Sequence, residues 1–203
     1  MKIQGRQDTK SLQIKDLVTI GIFTALLFIA IGIGAAPFAP NPFLTFYMPL
    51  GGALLGGPIF LLLTAKVPKR GAVSIVGLLI SAVIFATGMH WAMALGYLLG
   101  GILGDLIAGS REYRSIKCNS VAYTSLVFGA TGTYIAYFVN PEAWARQMLK
   151  GDTTITYIDI MGKSAHSWTL PVILIGTVLV ALFSAYIGAK LLKKQFEKAG
   201  ITS

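Results

Sequence analysis

The sequence predicts an all-α membrane protein: one integral membrane domain over residues 1–203, with six transmembrane helices. Both termini are expected in the cytoplasm, and one long extracellular loop lies between the fifth and sixth helices. Three observations lead there. Residues 17–65, 71–104, 118–141 and 164–189 contain no Asp, Glu, Lys or Arg. Nearly all basic residues fall in the gaps between these blocks. Only 12% of the chain is charged and its mean hydropathy is +0.71, outside the range of soluble domains.

Block lengths set the number of crossings. A hydrocarbon core about 30 Å thick needs about 20 apolar residues per helix. The first block has 49 residues and the second 34, running on past Asp105, so each holds two passes. The third and fourth, with 24 and 26, hold one each. The expected spans are 17–36, 44–65, 71–87, 90–109, 120–139 and 169–192. No signal peptide is expected, because the first apolar run is too long and no Ala-x-Ala site follows it.

Charge placement sets the orientation. Lys2, Arg6, Lys10 and Lys15 precede the first span, and Lys66, Lys69 and Arg70 follow the second. Arg111, Arg114 and Lys117 follow the fourth, and Lys190, Lys193, Lys194 and Lys198 end the sixth. With six crossings these 14 of 17 basic residues share one side, which the positive-inside rule makes cytoplasmic. The remaining three, Arg146, Lys150 and Lys163, lie in the 140–167 loop. A net charge of +9 spread this way reads as topology and lipid headgroup contact, and nucleic acid is not an expected partner.

The connections have their own signals. Three prolines in 35–43 predict extended, rigid external backbone. Residues 67–70 predict a tight turn. The 140–167 loop opens on Pro141-Glu142-Ala143-Trp144-Ala145-Arg146, a short amphipathic helix with Pro at its first position, and is helical only in part beyond it. Ala92, Gly96, Gly100, Gly104 and Ala108 form a small-residue ladder on the fourth span, with shorter versions on the second (Gly52, Gly56) and sixth (Ala181, Ala185, Ala189). Such faces let helix backbones approach closely and read as internal packing. Gly21 and Ala25 make a similar face near the cytoplasmic end of the first span, open to a second membrane protein. Asp105 lies about one turn from the cytoplasmic end of the fourth span and is expected to pair with Arg111 or Lys69.

Candidate recognition residues gather on the outer side. Asn41 and Tyr47 follow the proline loop. His90 and Trp91 open the fourth span, with Tyr97 two turns deeper. Trp144 lies in the long loop, and His166 and Trp168 lead into the sixth span. An interfacial aromatic belt accounts for the tryptophans as well as a ligand does. The histidines point further, to a stacking platform with nearby donors for a flat, polar, ring-containing small molecule. The ligand is expected between the proline loop, the mouth of the fourth span and the long loop, which closes as a lid. Catalysis finds no footing: there is no His-Glu-x-x-His, Gly-x-Ser-x-Gly, Walker sequence or intramembrane carboxylate pair. No metal or cofactor is expected, since two histidines and one cysteine fall short of a metal site. The alternatives are a small membrane enzyme acting on a lipid substrate and a stand-alone secondary carrier.

The residues also carry a family likeness. Met48-Pro49-Leu50-Gly51-Gly52-Ala53-Leu54-Leu55-Gly56-Gly57-Pro58, the Gly21-x-x-x-Ala25 pair and Gly100-Gly101-Ile102-Leu103-Gly104-Asp105-Leu106-Ile107-Ala108-Gly109 resemble an S component of an energy-coupling factor (ECF) transporter. Ala65-Lys66-Val67-Pro68-Lys69-Arg70-Gly71-Ala72 is similar more particularly to the Trep_Strep subgroup. The resemblance covers nearly the whole chain. It implies a subunit that captures a vitamin or micronutrient at the outer face. Such a subunit docks through its first helix onto a membrane coupling protein driven by two ATPases, and tilts in the bilayer to deliver its ligand. The family's helix 1 motif is usually Ala-x-x-x-Ala, and here Gly21 replaces the first Ala.

Overall fold

The computed structural model describes residues 11–150 and 153–193. Lys2, Arg6, Lys10, Lys194 and Lys198, used above for orientation, lie outside the described residues. Within them every regular element is helical. The segment expected as the first span folds as α1 (Ile14–Ala35), and those expected as the third and fourth fold as α4 (Ala72–Ala86) and α5 (Trp91–Gly109). The segment expected as the sixth folds as α10 (Thr169–Leu191). α1, α5 and α10 are long and apolar enough to cross a membrane.

The second span is not the continuous helix expected over 44–65. It is a 3-10 turn (Thr45–Tyr47), then α2 (Met48–Leu55), then α3 (Gly57–Lys66), bent by 44° at Gly56. Taken as one broken span, it makes a fourth crossing candidate. The cause is Gly56-Gly57-Pro58, since proline carries no N–H and its ring crowds the preceding turn. Gly57 N–H and Ala53 C=O would bond each other in an unbroken helix. Instead Gly57 N–H donates to Ser184 Oγ at 3.0 Å and Ala53 C=O accepts from the Tyr123 hydroxyl at 2.7 Å. Both freed groups are satisfied inside the bundle, as an apolar solvent demands.

The fifth span begins earlier than expected, at α6 (Ile116–Phe128), because the Ser115 hydroxyl caps it by accepting from Cys118 N–H at 3.3 Å. A 3-10 turn (Gly129–Thr131) joins it to α7 (Gly132–Val139). The long loop folds into α8 (Pro141–Met148), the expected amphipathic helix, and α9 (Ile155–Lys163).

The glycine ladders are packing faces. A Cβ on Gly77 of α4 would come within 2.8 Å of Gly101 Cα on α5, and one on Gly104 within 2.8 Å of the Ala122 carbonyl on α6. Gly96 abuts Gly129, and Gly34 of α1 abuts Gly51 of α2. α5 therefore sits between α4 on one face and the α6–α7 segment on the other. Lipid supplies no hydrophobic drive between helices, so these backbone approaches carry the association.

One end of the bundle is tied by acidic caps. Asp105 does not pair with Arg111 or Lys69 as expected. Its carboxylate accepts from Gly71 N–H at 2.8 Å and Val73 N–H at 2.9 Å, closing the first turn of α4. Gly71 sits at φ +91°, the left-handed region where only glycine is unstrained. Lys69 bonds Asp16 of α1 instead, at 2.7 Å, and donates to Ser11 C=O. The proline loop is likewise not extended. It is a run of turns, with Pro37 at the second position of one (Ala39 N–H to Ala36 C=O) and Pro42 at the second position of another (Leu44 N–H to Asn41 C=O). Proline's fixed φ suits that position.

Asp105→Ala strands the buried Val73 amide and the part-buried Gly71 amide and is expected to cost about 2–3 kcal/mol. Chemical denaturation in mild detergent should show this loss for Asp105→Ala and a smaller one for Asp105→Asn. Equal stability of both variants with the parent would remove Asp105 from the cap.

Candidate functional site

At the end remote from the Asp105 and Lys69 ties, the helices part around a cavity of about 670 Å³. Its walls come from the C-terminal half of α1 (Phe28, Ile31, Gly32, Ala35), from α2 (Met48, Pro49, Gly52, Ala53) and from the start of α5 (Met93, Tyr97). His90, Val127, Ala130, Thr133 and Tyr134 complete the sides. Trp144 and Met148 of α8, with Thr153, Thr154, Tyr157 and Met161, form the roof. The size falls in the usual range for small-molecule sites.

The roof is fastened down. The Tyr157 hydroxyl donates to Ala39 C=O in the proline loop at 2.7 Å, and Trp144 Nε1–H donates to Thr133 Oγ1 at 2.9 Å. Trp144 also meets Tyr137 edge-on at 5.2 Å between ring centres. Beneath the roof Phe46 packs against Tyr134, Tyr137 and Phe138, and the Tyr134 hydroxyl bonds Thr45 C=O. This second apolar cluster, separate from the main core, explains why a loop in the sequence folds as a lid.

Among the described residues the lining carries no Asp, Glu, Lys or Arg. It does carry Met48, Met89, Met93, Met148 and Met161, every methionine of the chain except Met1. Two polar groups stand out. His90 is 4% exposed and caps α5, with Nδ1 accepting from Ala92 N–H at 3.2 Å. That bond leaves the ring proton on Nε2, which meets no acceptor among the described residues. Tyr97 is 2% exposed, lines the cavity, and its hydroxyl has no hydrogen-bond partner among the described residues.

Of the residues expected at the site, the structure brings His90, Tyr97 and Trp144 together. His90 and Trp144 stack at 6.4 Å with planes 21° apart. Asn41, Tyr47, Trp91, His166 and Trp168 lie outside the lining. Asn41 Oδ1 accepts from Phe43 N–H and is spent on the proline turn. Tyr47 precedes α2 and is not part of the cavity wall, although Thr45 and Met48 on either side are. Trp91 and Trp168 are 53% and 52% exposed, and His166 stacks on Trp168 at 5.6 Å. Solvent-facing tryptophans at helix starts fit the interfacial belt, which puts amphipathic rings at headgroup level. Sequence reasoning missed the α1 wall, Thr133, Tyr134 and the methionines. The methionine signal was there to be seen: all five sit near the outer ends of spans or in the outer loop.

These features define a multi-pass helical membrane protein with a roofed cavity at one end of its bundle, lined among the described residues by uncharged side chains. The chain belongs to the Trep_Strep family, described as hypothetical bacterial integral membrane proteins, whose model matches residues 14–198. It is accordingly a multi-pass protein of the bacterial cell membrane. No curated protein and no solved structure matches it.

Tyr157→Phe removes one lid bond worth about 1 kcal/mol. Amide exchange over Ile155–Lys163 should accelerate about fivefold while α5 is unchanged. Unchanged exchange in α9 would show that this bond does not hold the lid.

Proposed function

We propose that this protein is the substrate-capture subunit of an ECF-type importer. It takes a vitamin or other small ring-containing micronutrient from the extracellular side and releases it inward. A membrane coupling protein and two ATPase subunits supply the power. The observation that carries this reading is the roofed cavity, lined by two polar groups, His90 and Tyr97, that have hydrogens to donate there, at the end opposite the basic turns.

The six-span topology with both termini inside is part of the reading. α4 has 15 residues, about 22 Å of helix, shorter than a standard hydrocarbon core and consistent with local thinning of the bilayer. α6, the 3-10 turn and α7 follow without a gap and act as one crossing. With the basic turns inward, the cavity and its lid face outward.

Other features favour borrowed power. Among the described residues the cavity wall has no carboxylate to carry a coupling proton or cation, which a stand-alone carrier needs near its substrate. His90 has one nitrogen committed to the α5 cap and no acid beside it, a poor arrangement for a catalytic base. The docking surface in this reading is α1 around Gly21 and Ala25. A Cβ on Gly21 would meet nothing within 4 Å, so the face is open to another helix.

The test is Gly21→Leu with Ala25→Leu. The double variant should lose cellular uptake and co-purification with the coupling protein and ATPases, yet keep small-molecule binding. Uptake by the purified chain alone, in vesicles with an ion gradient and no ATPase, would overturn the proposal.

A further inference from the structure

We infer that the cavity takes an uncharged, ring-bearing ligand that accepts hydrogen bonds from His90 Nε2–H and the Tyr97 hydroxyl and rests its rings on the methionine wall. The inference deepens the capture reading and rests on it only for the cavity being the ligand's seat.

The charge assignment comes from the lining as a whole. A buried ion needs a counter-ion or several hydrogen bonds, because a low-dielectric site does not replace its lost hydration. No ionised side chain among the described residues lines this cavity. The charged residues of the roof helices, Glu142, Arg146, Asp159 and Lys163, are exposed on its outer surface. Arg146 and Glu142 face each other at 3.9 Å in solvent. A carboxylate or ammonium ligand would sit unanswered.

Hydrogen-bond sense comes from what is already used. The hydroxyls of Tyr134 and Tyr157 and the Trp144 indole N–H all donate to protein acceptors. His90 Nε2–H and the Tyr97 hydroxyl do not, although both residues are more than nine-tenths buried. Among the described residues the sealed and unpartnered side-chain atom is Asn119 Oδ1, so these two donors open onto the cavity and can be taken up by an occupant. They lie seven residues apart on α5, about 10 Å along its axis. An occupant that meets both is an elongated, fused-ring size of molecule with acceptors toward its two ends.

The wall supplies the rest. Met48, Met89, Met93, Met148 and Met161 present flexible, polarisable thioethers, which make favourable contacts with aromatic rings and adjust to irregular outlines. Leucines at these positions would give a stiffer surface without the sulfur contacts.

The test uses three probes with one ring system and a polar group at each end: naphthalene-2,6-dicarboxamide (uncharged), naphthalene-2,6-dicarboxylate (anion) and 2,6-bis(ammoniomethyl)naphthalene (cation). Binding is measured at neutral pH by equilibrium dialysis on the full chain in nanodiscs, with empty nanodiscs subtracted. The amide should bind about tenfold or more tighter than either ion. Tyr97→Phe, which removes only the hydroxyl, should weaken the amide about tenfold without lowering the unfolding temperature. An ion bound as tightly as the amide overturns the charge assignment and leaves the capture reading standing. Amide binding unaffected by Tyr97→Phe overturns the donor assignment. Saturable binding of none of the three overturns the inference and, with it, the cavity as the capture site.

Discussion

Close approach of helix backbones is the constraint on which this structure depends. In lipid, apolar side chains gain little by leaving their solvent, so the helices are held by van der Waals contact and internal hydrogen bonds. Gly77 against Gly101, Gly96 against Gly129 and Gly34 against Gly51 bring main chains together where any side chain would intrude. Side chains fill what the glycines leave. Ile20, Phe60, Leu63, Val73, Val76 and Tyr123 are fully buried in the main core. At the other end, the facing positions are Met48, Met93, Thr133 and Tyr97, and the walls stand apart. The same helices that seal one end open at the other.

The two ends also differ in how they satisfy polar groups. Near Lys69 and Asp105, charged side chains cap amides and join α1, α4 and α5. Around the cavity the work falls to uncharged groups: tyrosine hydroxyls on loop carbonyls, an indole on a threonine and an imidazole on a helix start. This division leaves the cavity electrically neutral. It also couples the lid to the proline turns, so a ligand that displaced Tyr157 would loosen both. The lid is held by these hydrogen bonds together with the packing of Trp144 and Met161 in the Phe46 cluster.

Much of the fold was legible because lipid imposes strict rules. Charge-free blocks gave the long helices, and α1, α5 and α10 fall within three residues of their expected bounds. The ladder from Ala92 to Ala108 was readable as packing because spacing four has one meaning inside a bilayer. Local proline chemistry was harder to read. Gly56-Gly57-Pro58 broke the second span because Ser184 and Tyr123, far away in sequence, were placed to satisfy the broken bonds. Asp105 met amides instead of a lysine because the left-handed Gly71 turns the chain toward it. At the site, His90, Tyr97 and Trp144 were readable as buried-capable polar aromatics at the outer end. Trp91 and Trp168 have the same composition and opposite facing, a distinction that helix rotation decides and residue type does not.

The central claim is that a small molecule occupies the roofed cavity. Native mass spectrometry of the gently purified full chain, compared with Gly32→Phe, tests it most directly. Gly32 lines the cavity, and a Cβ there meets nothing within 4 Å, so the backbone accepts a phenylalanine whose ring narrows the site. The account predicts a small-molecule adduct on the parent chain that is missing from the filled variant. A parent chain that flies bare, or an adduct that the filled variant retains, would contradict it.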